Sequence, residues 1–199
     1  MFSQHICSSN GCNERAVWGA DTCLAHVRDI EQYTENVKEF LAQNTSFSGI
    51  HISNITLSDL DLSGKKYSYC SFSHSSFSNC NFNNCSMYLS FFDSCRIKQC
   101  NFADSSFRWT VFAGSLIHDC RFGDSSVLRS NFNGIEMKNT IFNGSDLYST
   151  RFIDSRLDNV GFENCNLLRV HYEFGELDDV SFRNSNAEEA FFDKERIEE

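Results

Sequence analysis

Residues 100–134 read CNFAD SSFRW TVFAG SLIHD CRFGD SSVLR SNFNG when cut every five, and a large apolar residue holds the third place of each: Phe102, Phe107, Phe112, Ile117, Phe122, Val127, Phe132. Working outward, the same phase runs back through Ile97, Phe92, Met87, Phe82, Phe77, Phe72, Tyr67, Leu62, Leu57 and Ile52 to Phe47. It runs on through Met137, Phe142, Leu147, Phe152, Leu157, Phe162, Leu167, Tyr172, Leu177, Phe182, Ala187 and Phe192 to Ile197. A helix repeats near 3.6 residues and a strand at 2, so neither keeps a five-residue beat on one side for so long. The periodicity predicts a solenoid.

Two further places in the pentad repeat. Two residues before each central residue the side chain is usually small, as in Cys70, Ser75, Cys80, Cys85, Ser90, Cys95, Cys100, Ser105, Thr110 and Ser115. Two residues after it come turn formers, as in Asn54, Asp59, Gly64, Asn79, Asn84, Asp104, Gly114, Asp119, Asp124 and Gly134. Asn, Asp and Gly tolerate the backbone angles of tight corners. Each pentad therefore reads as one short side plus one corner.

CNFNN (80–84), CNFAD (100–104), CRFGD (120–124), SNFNG (130–134) and TIFNG (140–144) make the chain resemble the pentapeptide-repeat family over roughly three quarters of its length. The resemblance implies an all-β solenoid, a right-handed quadrilateral β-helix in which four pentads make one coil. Residues 20 apart would then share a wall. Phe82, Phe102, Phe122, Phe142, Phe162 and Phe182 would form one column, and Phe72, Phe92, Phe112, Phe132, Phe152, Tyr172 and Phe192 the opposite one. Each buried side chain of this size contributes about 1.5–3 kcal/mol before entropy is subtracted. The bore is expected to be filled, which leaves no cleft for a substrate and argues against an enzyme. The absence of Pro suits a chain whose backbone donors bond the coil above or below.

Lys65 breaks the pattern, because its place would point an ammonium into the core; a bulge or corner distortion is expected at Gly64, Lys65 and Lys66. Of ten Cys, seven (Cys70, Cys80, Cys85, Cys95, Cys100, Cys120, Cys165) occupy the small inward place. Core packing is the simple reading for them. A metal or redox role for the column Cys80, Cys100, Cys120 is the alternative. Reduced thiols fit an intracellular protein. The N-terminus shows no apolar signal region and no stretch approaches membrane-spanning length, so the cytoplasm is the expected compartment and no membrane the expected partner.

Before the repeats stand Cys7, Cys12, Cys23 and His26. Three thiols and an imidazole, with His26 one helical turn after Cys23, are the donors of a tetrahedral structural zinc site. Gly11 suits a tight knuckle before Cys12, and His5 is a substitute ligand. Ordinary packing of Cys and His in a cap is the competing reading, and a nucleophilic Cys23 paired with His26 has no orienting acid nearby. Apolar residues Leu24, Val27, Ile30, Val37, Phe40 and Leu41 recur at helical spacing, with Asp21 a plausible cap. The expected organisation is a zinc-binding module at 1–26, a capping helix at 27–44 starting near 22, the repeats at 45–185, and an acidic cap at 186–199. That last cap reads as a helix from about Ala187, including Lys194 and Ile197, with Asn186 and Glu189 as a capping box, and a last coil is the alternative because Phe192 and Ile197 also keep the pentad phase.

The outward surface is uneven. Ser48, Ser53, Ser58, Ser63, Ser68, Ser73 and Ser78 repeat in one outward place and are read as solvating the corners. Tyr69, Leu89 and Trp109 form an apolar outward column. Tyr88, Leu128, Tyr148 and Leu168 stand in the column before it, and Phe91 and Val111 two residues on. Arg108, Arg129, Arg151 and Arg169 interleave with them. Aromatic and Arg side chains on one corner are the composition of binding hot spots. The competing readings are that the N-terminal module folds over this corner or that the side chains merely pack on one another.

Acids gather at the far end: residues 171–199 hold ten acids against three bases, so −7 of the net −10 lies there. An acidic chain does not neutralise phosphates, so direct nucleic-acid binding is not expected. The leading function is a non-catalytic protein-binding scaffold that presents the corner residues Tyr69, Tyr88, Leu89, Phe91, Arg108, Trp109, Val111, Leu128, Arg129 and Tyr148 to a protein partner. Self-association into a homodimer is the other use of such a surface. The second function, which the family resemblance implies, is a DNA mimic that protects a type II topoisomerase (gyrase) from inhibitors.

Overall fold

In a computed structural model that describes residues 5–193, the chain from Thr45 onward winds as a parallel β-solenoid of about 7 turns. Each turn takes 20 residues. Triplets beginning at Ser46, Lys66, Ser86, Ser106 and Ser126 make a five-stranded sheet, with Phe47 opposite Tyr67 and Tyr67 opposite Met87. On the opposite wall a seven-stranded sheet runs from Thr56–Ser58 to Glu176–Ser181. Single bridges at the same 20-residue offset carry the two remaining walls, as in His51–Ser71–Phe91–Val111 and Asp61–Asn81–Asn101–Arg121.

The corners explain why the beat is five. From Gly49 to Asn184, the residue two after each central position has φ between +47° and +77° without exception. A left-handed residue turns the chain through a corner after a short straight side, and L side chains other than Gly, Asn and Asp resist it.

The interior is a stack of rings. Phe82, Phe102, Phe122 and Phe142 lie nearly parallel with centroids 4.7–4.8 Å apart. Phe112 and Phe132, on the facing wall, stack at 4.8 Å. Across the bore the two columns meet edge-to-face, Phe112 against Phe122 at 5.9 Å and 90°. Both geometries are favoured by the ring quadrupole, and together they close the bore.

The small inward place has a second role beyond volume. Its hydroxyl accepts from the backbone N–H of the same place one coil earlier, as Ser125 Oγ does from Ser105 N at 3.1 Å, and donates to a carbonyl 23 residues back, here Phe102 O at 3.1 Å. Ser105, Ser115, Ser145 and Ser155 repeat this pair of bonds. The hydroxyls satisfy buried amides that the coil-to-coil ladder leaves over. Cys85, Cys95 and Cys165 donate to the equivalent carbonyl through sulfur.

Several expectations are corrected at the two ends. Lys65 causes no bulge. Its neighbours keep the 20-residue register, and the ammonium, 6% exposed, donates to Ala42 O and Asn44 O at the end of the helix Ile30–Gln43. The carbonyls of a helix C-terminus are unsatisfied and carry partial negative charge, so they accept a cation there.

That helix starts later than the apolar spacing suggested, with Asp29 as its cap accepting from Gln32 N at 2.9 Å, not Asp21. Leu24–His26 forms a separate 3-10 turn. Tyr33, Val37 and Leu41 face the first coil, and Phe40 stacks on Trp18 at 3.8 Å and meets Phe47 edge-on at 5.3 Å.

At the far end the helix expected from Ala187 is only a 3-10 turn, Ala187–Glu189, after which Phe191 bridges to His171 and Phe192 stacks on Tyr172. Asn186 Nδ2 bonds Glu189, but its oxygen accepts from Leu167 N instead of capping the turn. Lys194 and Ile197 lie outside the described residues.

Two substitutions test the interior. Ser125→Ala strands a buried amide and a carbonyl and is expected to cost about 1–3 kcal/mol, while Ser125→Cys costs less. Tyr172→Phe is expected to stabilise by about 1 kcal/mol, because the buried Tyr172 hydroxyl has no hydrogen-bond partner among the described residues. Thermal denaturation midpoints report both.

Candidate functional site

Two sites stand out, one at the N-terminal end and one along a corner. At the N-terminus Ile6 pairs with Arg15 in an antiparallel bridge, and Gly11 at φ 76° turns the hairpin so that Cys7 and Cys12 face inward. Cys23 precedes the 3-10 turn that brings His26 back over it. The four donors lie within 4.8 Å of one another. Cys7 Sγ and Cys23 Sγ each stand 3.3 Å from His26 Nδ1, and Cys12 Sγ stands 3.8 Å from Cys23 Sγ.

Around a tetrahedral zinc with bonds of about 2.3 Å to sulfur and 2.0 Å to nitrogen, donor separations come to about 3.5–3.8 Å. The donor set fits, with Nδ1 as the ligating nitrogen. Burial opposes ionisation of Cys7, yet backbone amides of Cys23 and Ser9 draw its thiol down to about 6. Cys12 shifts the other way: although Glu14 lowers it, burial and the neighbouring thiols of Cys23 and Cys7 push it up. Crowded thiols cannot all ionise without a cation between them. His5 is exposed and does not join the cluster.

The module docks on the rod. Trp18 N donates to His51 O at 2.8 Å, and Ser53, Ser71 and Ser73 line a groove between module and rod. Ser53, read as a solvated corner, is 3% exposed, whereas Ser73 keeps partial exposure at the open groove between module and rod. Ser53 bonds Ser71, which bonds Ser73, which donates to Asp93.

The thiols Cys80, Cys100 and Cys120 are buried. Cys100 is raised to about 12, first by its contact with Cys120, and Cys80 is raised through Cys100 and burial. Cys80 and Cys100 are therefore held as protonated packing thiols.

The corner between the walls of Tyr67 and Phe72 stays uncovered. Trp109 and Tyr69 are each 36% exposed. Tyr88 meets Tyr69 edge-on at 5.5 Å and Trp109 at 5.6 Å. Arg108 and Arg129 lie over the Trp109 ring at 5.9 and 6.0 Å, and Arg129 also over Tyr148 at 5.8 Å. Trp109, Leu128, Tyr148 and the two arginines line a recess of about 300 Å³. Arg169 donates to the Tyr148 hydroxyl at 3.4 Å. Phe91 and Val111 are half-buried on the adjoining wall, bridged to one another, and Leu89 is half-buried in the corner column.

The sequence carries a further signal at this corner. Three of the four corners fill the left-handed place largely with Asn, Asp and Gly. This corner instead carries Tyr69, Leu89, Trp109, Arg129, Ser149 and Arg169, with φ of 56°, 47°, 55°, 52°, 56° and 60°. Bulky side chains at left-handed φ cost on the order of 1 kcal/mol each. Strain concentrated in one column points to a use for that column.

A parallel coil of pentads around a packed aromatic bore defines a solenoid repeat protein. The chain belongs to the pentapeptide repeat family: the model for a pentapeptide repeat region matches residues 75–148 and 115–192. No curated protein matches the chain significantly.

Among solved structures, HetL, a pentapeptide repeat protein involved in heterocyst differentiation regulation in the cyanobacterium Nostoc sp. strain PCC 7120, is 10% identical. That match covers 80% of this chain and 96% of HetL with a TM-score of 0.35. Full-length QnrB1, a plasmid-mediated fluoroquinolone resistance protein, is 14% identical over 75% of this chain and 94% of its own, with a TM-score of 0.34. A pentapeptide repeat protein of the Arabidopsis thaliana thylakoid lumen is 21% identical over 51% of this chain and 68% of its own, with a TM-score of 0.36. Family membership rests on the repeat model and on the coil itself.

If the corner is strained, relaxing it should stabilise the rod. Leu89→Asn is expected to raise stability by on the order of 0.5 kcal/mol, the left-handed penalty less some lost apolar contact. A lowered melting temperature would show that Leu89 belongs to the core.

Proposed function

We propose that this protein is a non-catalytic binding scaffold: the rod holds the corner of Tyr69, Tyr88, Leu89, Phe91, Arg108, Trp109, Val111, Leu128, Arg129 and Tyr148 rigid and presents it to a protein partner. The observation that carries this reading is the row of bulky side chains held at left-handed φ where the three other corners use mainly Asn, Asp and Gly. Aromatic and Arg anchors fixed in advance lose little entropy on binding. Among the described residues no helix is long and apolar enough to cross a membrane.

The N-terminal module holds a structural zinc through Cys7, Cys12, Cys23 and His26 Nδ1. The metal ties the hairpin to the 3-10 turn that leads into the helix and so steadies the cap over the first coil, whose open edge would otherwise pair with other chains.

The reading as a gyrase-protecting DNA mimic asks for an acidic track along the rod. Acids gather instead on the last coils, at Glu173, Glu176, Asp178, Asp179, Glu188 and Glu189, and Arg156 and Arg183 pair with Glu176 and Glu163. The scaffold reading is the better supported of the two.

Two measurements test the proposal. Metal analysis of the purified protein should find one zinc per chain; Cys12→Ser should lose it and loosen the N-terminal end while the rod keeps its β signal. An intact, metal-free wild type would remove the zinc. Trp109→Asp with Leu89→Asp should leave the rod folded and reduce association by at least about tenfold, read by crosslinking in cell extract and by sedimentation of the purified chain. Sedimentation separates a partner from self-association, and unfolding of the variant would mean that these residues are core.

A further inference from the structure

We propose that the occupant of this corner is a short, extended, acidic polypeptide segment that seats one apolar side chain in the recess between Trp109, Leu128 and Tyr148 and sets its carboxylates against Arg108, Arg129 and Arg169. The inference rests on the scaffold reading and adds the chemistry of the partner.

Charge complementarity carries it. The chain has 27 acids against 17 Lys and Arg. Yet none of the outward residues in the three columns that flank this corner is acidic, from Ser68, Tyr69 and Ser71 in one coil to Leu168, Arg169 and His171 five coils on. Those columns hold Arg108, Arg129, Arg151 and Arg169.

Three cations elsewhere on the rod pair within the chain one coil away: Lys138 with Asp158, Arg156 with Glu176, Arg183 with Glu163. No carboxylate among the described residues stands within ion-pair distance of the four corner arginines. An acidic protein that keeps one surface free of its own carboxylates leaves a local positive field there.

Geometry favours carboxylate over a bare point of charge. The Arg108 and Arg129 guanidinium groups lie over the rings of Trp109 and Tyr148. A guanidinium held beside these rings, 5.8–6.0 Å from their centroids, keeps N–H groups for planar, bidentate acceptors. Arg129 and Arg169 are two coils apart, about 9.6 Å, which three residues of extended chain also span. Acids three apart on either side of an apolar anchor match that spacing.

A nucleic acid offers anions and stacking faces too. Its backbone, however, would run beyond the corner onto Asp93, Asp146 and Glu173 and toward the acidic last coils, where it is repelled.

The test uses the full chain with Trp18→Phe, so that Trp109 is the remaining indole, and follows its fluorescence on titration with a synthetic Glu-Glu-Leu-Glu-Glu peptide. Binding should saturate and weaken at least about tenfold on raising salt from roughly 50 to 200 mM. It should fall about tenfold or more in Arg129→Ala with Arg169→Ala, and persist in the control Arg156→Ala with Arg183→Ala. A Lys-Lys-Leu-Lys-Lys peptide should not bind.

Absence of binding, equal binding by the Arg129/Arg169 variant, or tighter binding of a single-stranded thymidine oligonucleotide would overturn the inference. If Trp109→Asp with Leu89→Asp still abolishes partner association while the acidic peptide fails, the scaffold reading stands and only the partner chemistry falls. Circular dichroism of each variant confirms that the coil is intact.

Discussion

The structure depends on one hydrogen-bond register: each coil bonds the next at an offset of 20 residues, and it can do so only because every fifth residue turns left-handed. If that turn failed at one place, the side would lengthen and the following ladder bonds would miss their partners. The aromatic columns follow from this register. Rings 20 apart are set near 4.8 Å, which is both the strand spacing and a stacking distance. Core and ladder therefore reinforce each other, and neither would select the geometry alone.

Much of this was legible because the repeat samples the same environment some thirty times. The five-residue beat, the Phe columns and the coil of four pentads could all be read from Phe47 to Phe192. What the repeat could not show was chemistry that occurs once. Lys65 looked like an unpaired charge because its acceptors, Ala42 O and Asn44 O, belong to a helix end outside the repeat. The start of that helix at Ile30 depended on where the chain leaves the 3-10 turn that His26 closes, which apolar spacing does not encode. At the far end, helical propensity at Ala187–Glu189 competed with Phe191 and Phe192 seeking their columns, and the columns prevailed. The role of the small inward place was half read: size was visible, but the paired bonds of Ser105 or Ser125 require knowing which amide lies a coil away.

The candidate sites divide in the same way. The donors Cys7, Cys12, Cys23 and His26 were legible as a set because metal ligands are few and chemically distinct, and folding brings them together. The corner was legible as a column but not in its energetics. That Tyr69, Leu89 and Trp109 take the place turn formers hold elsewhere was legible in the repeat, but the left-handed φ that makes the place costly to them is seen in the coil. A rigid core and a permissive surface then have separate constraints: three of every five positions can change without touching the bore, provided the corner residue tolerates its φ.

The 20-residue turn also makes length a directional instruction. Removing one whole pentad ahead of Arg129 would leave the bore as well packed as before, since one central Phe or Leu substitutes for another. Everything downstream would nonetheless rotate by a quarter turn, carrying Arg129 and Tyr148 to a different edge from Trp109. Insertions and deletions in such a rod act as a compass as much as a ruler, and the alignment of Tyr69, Trp109, Arg129 and Arg169 on one edge records that the chain between them spans whole turns.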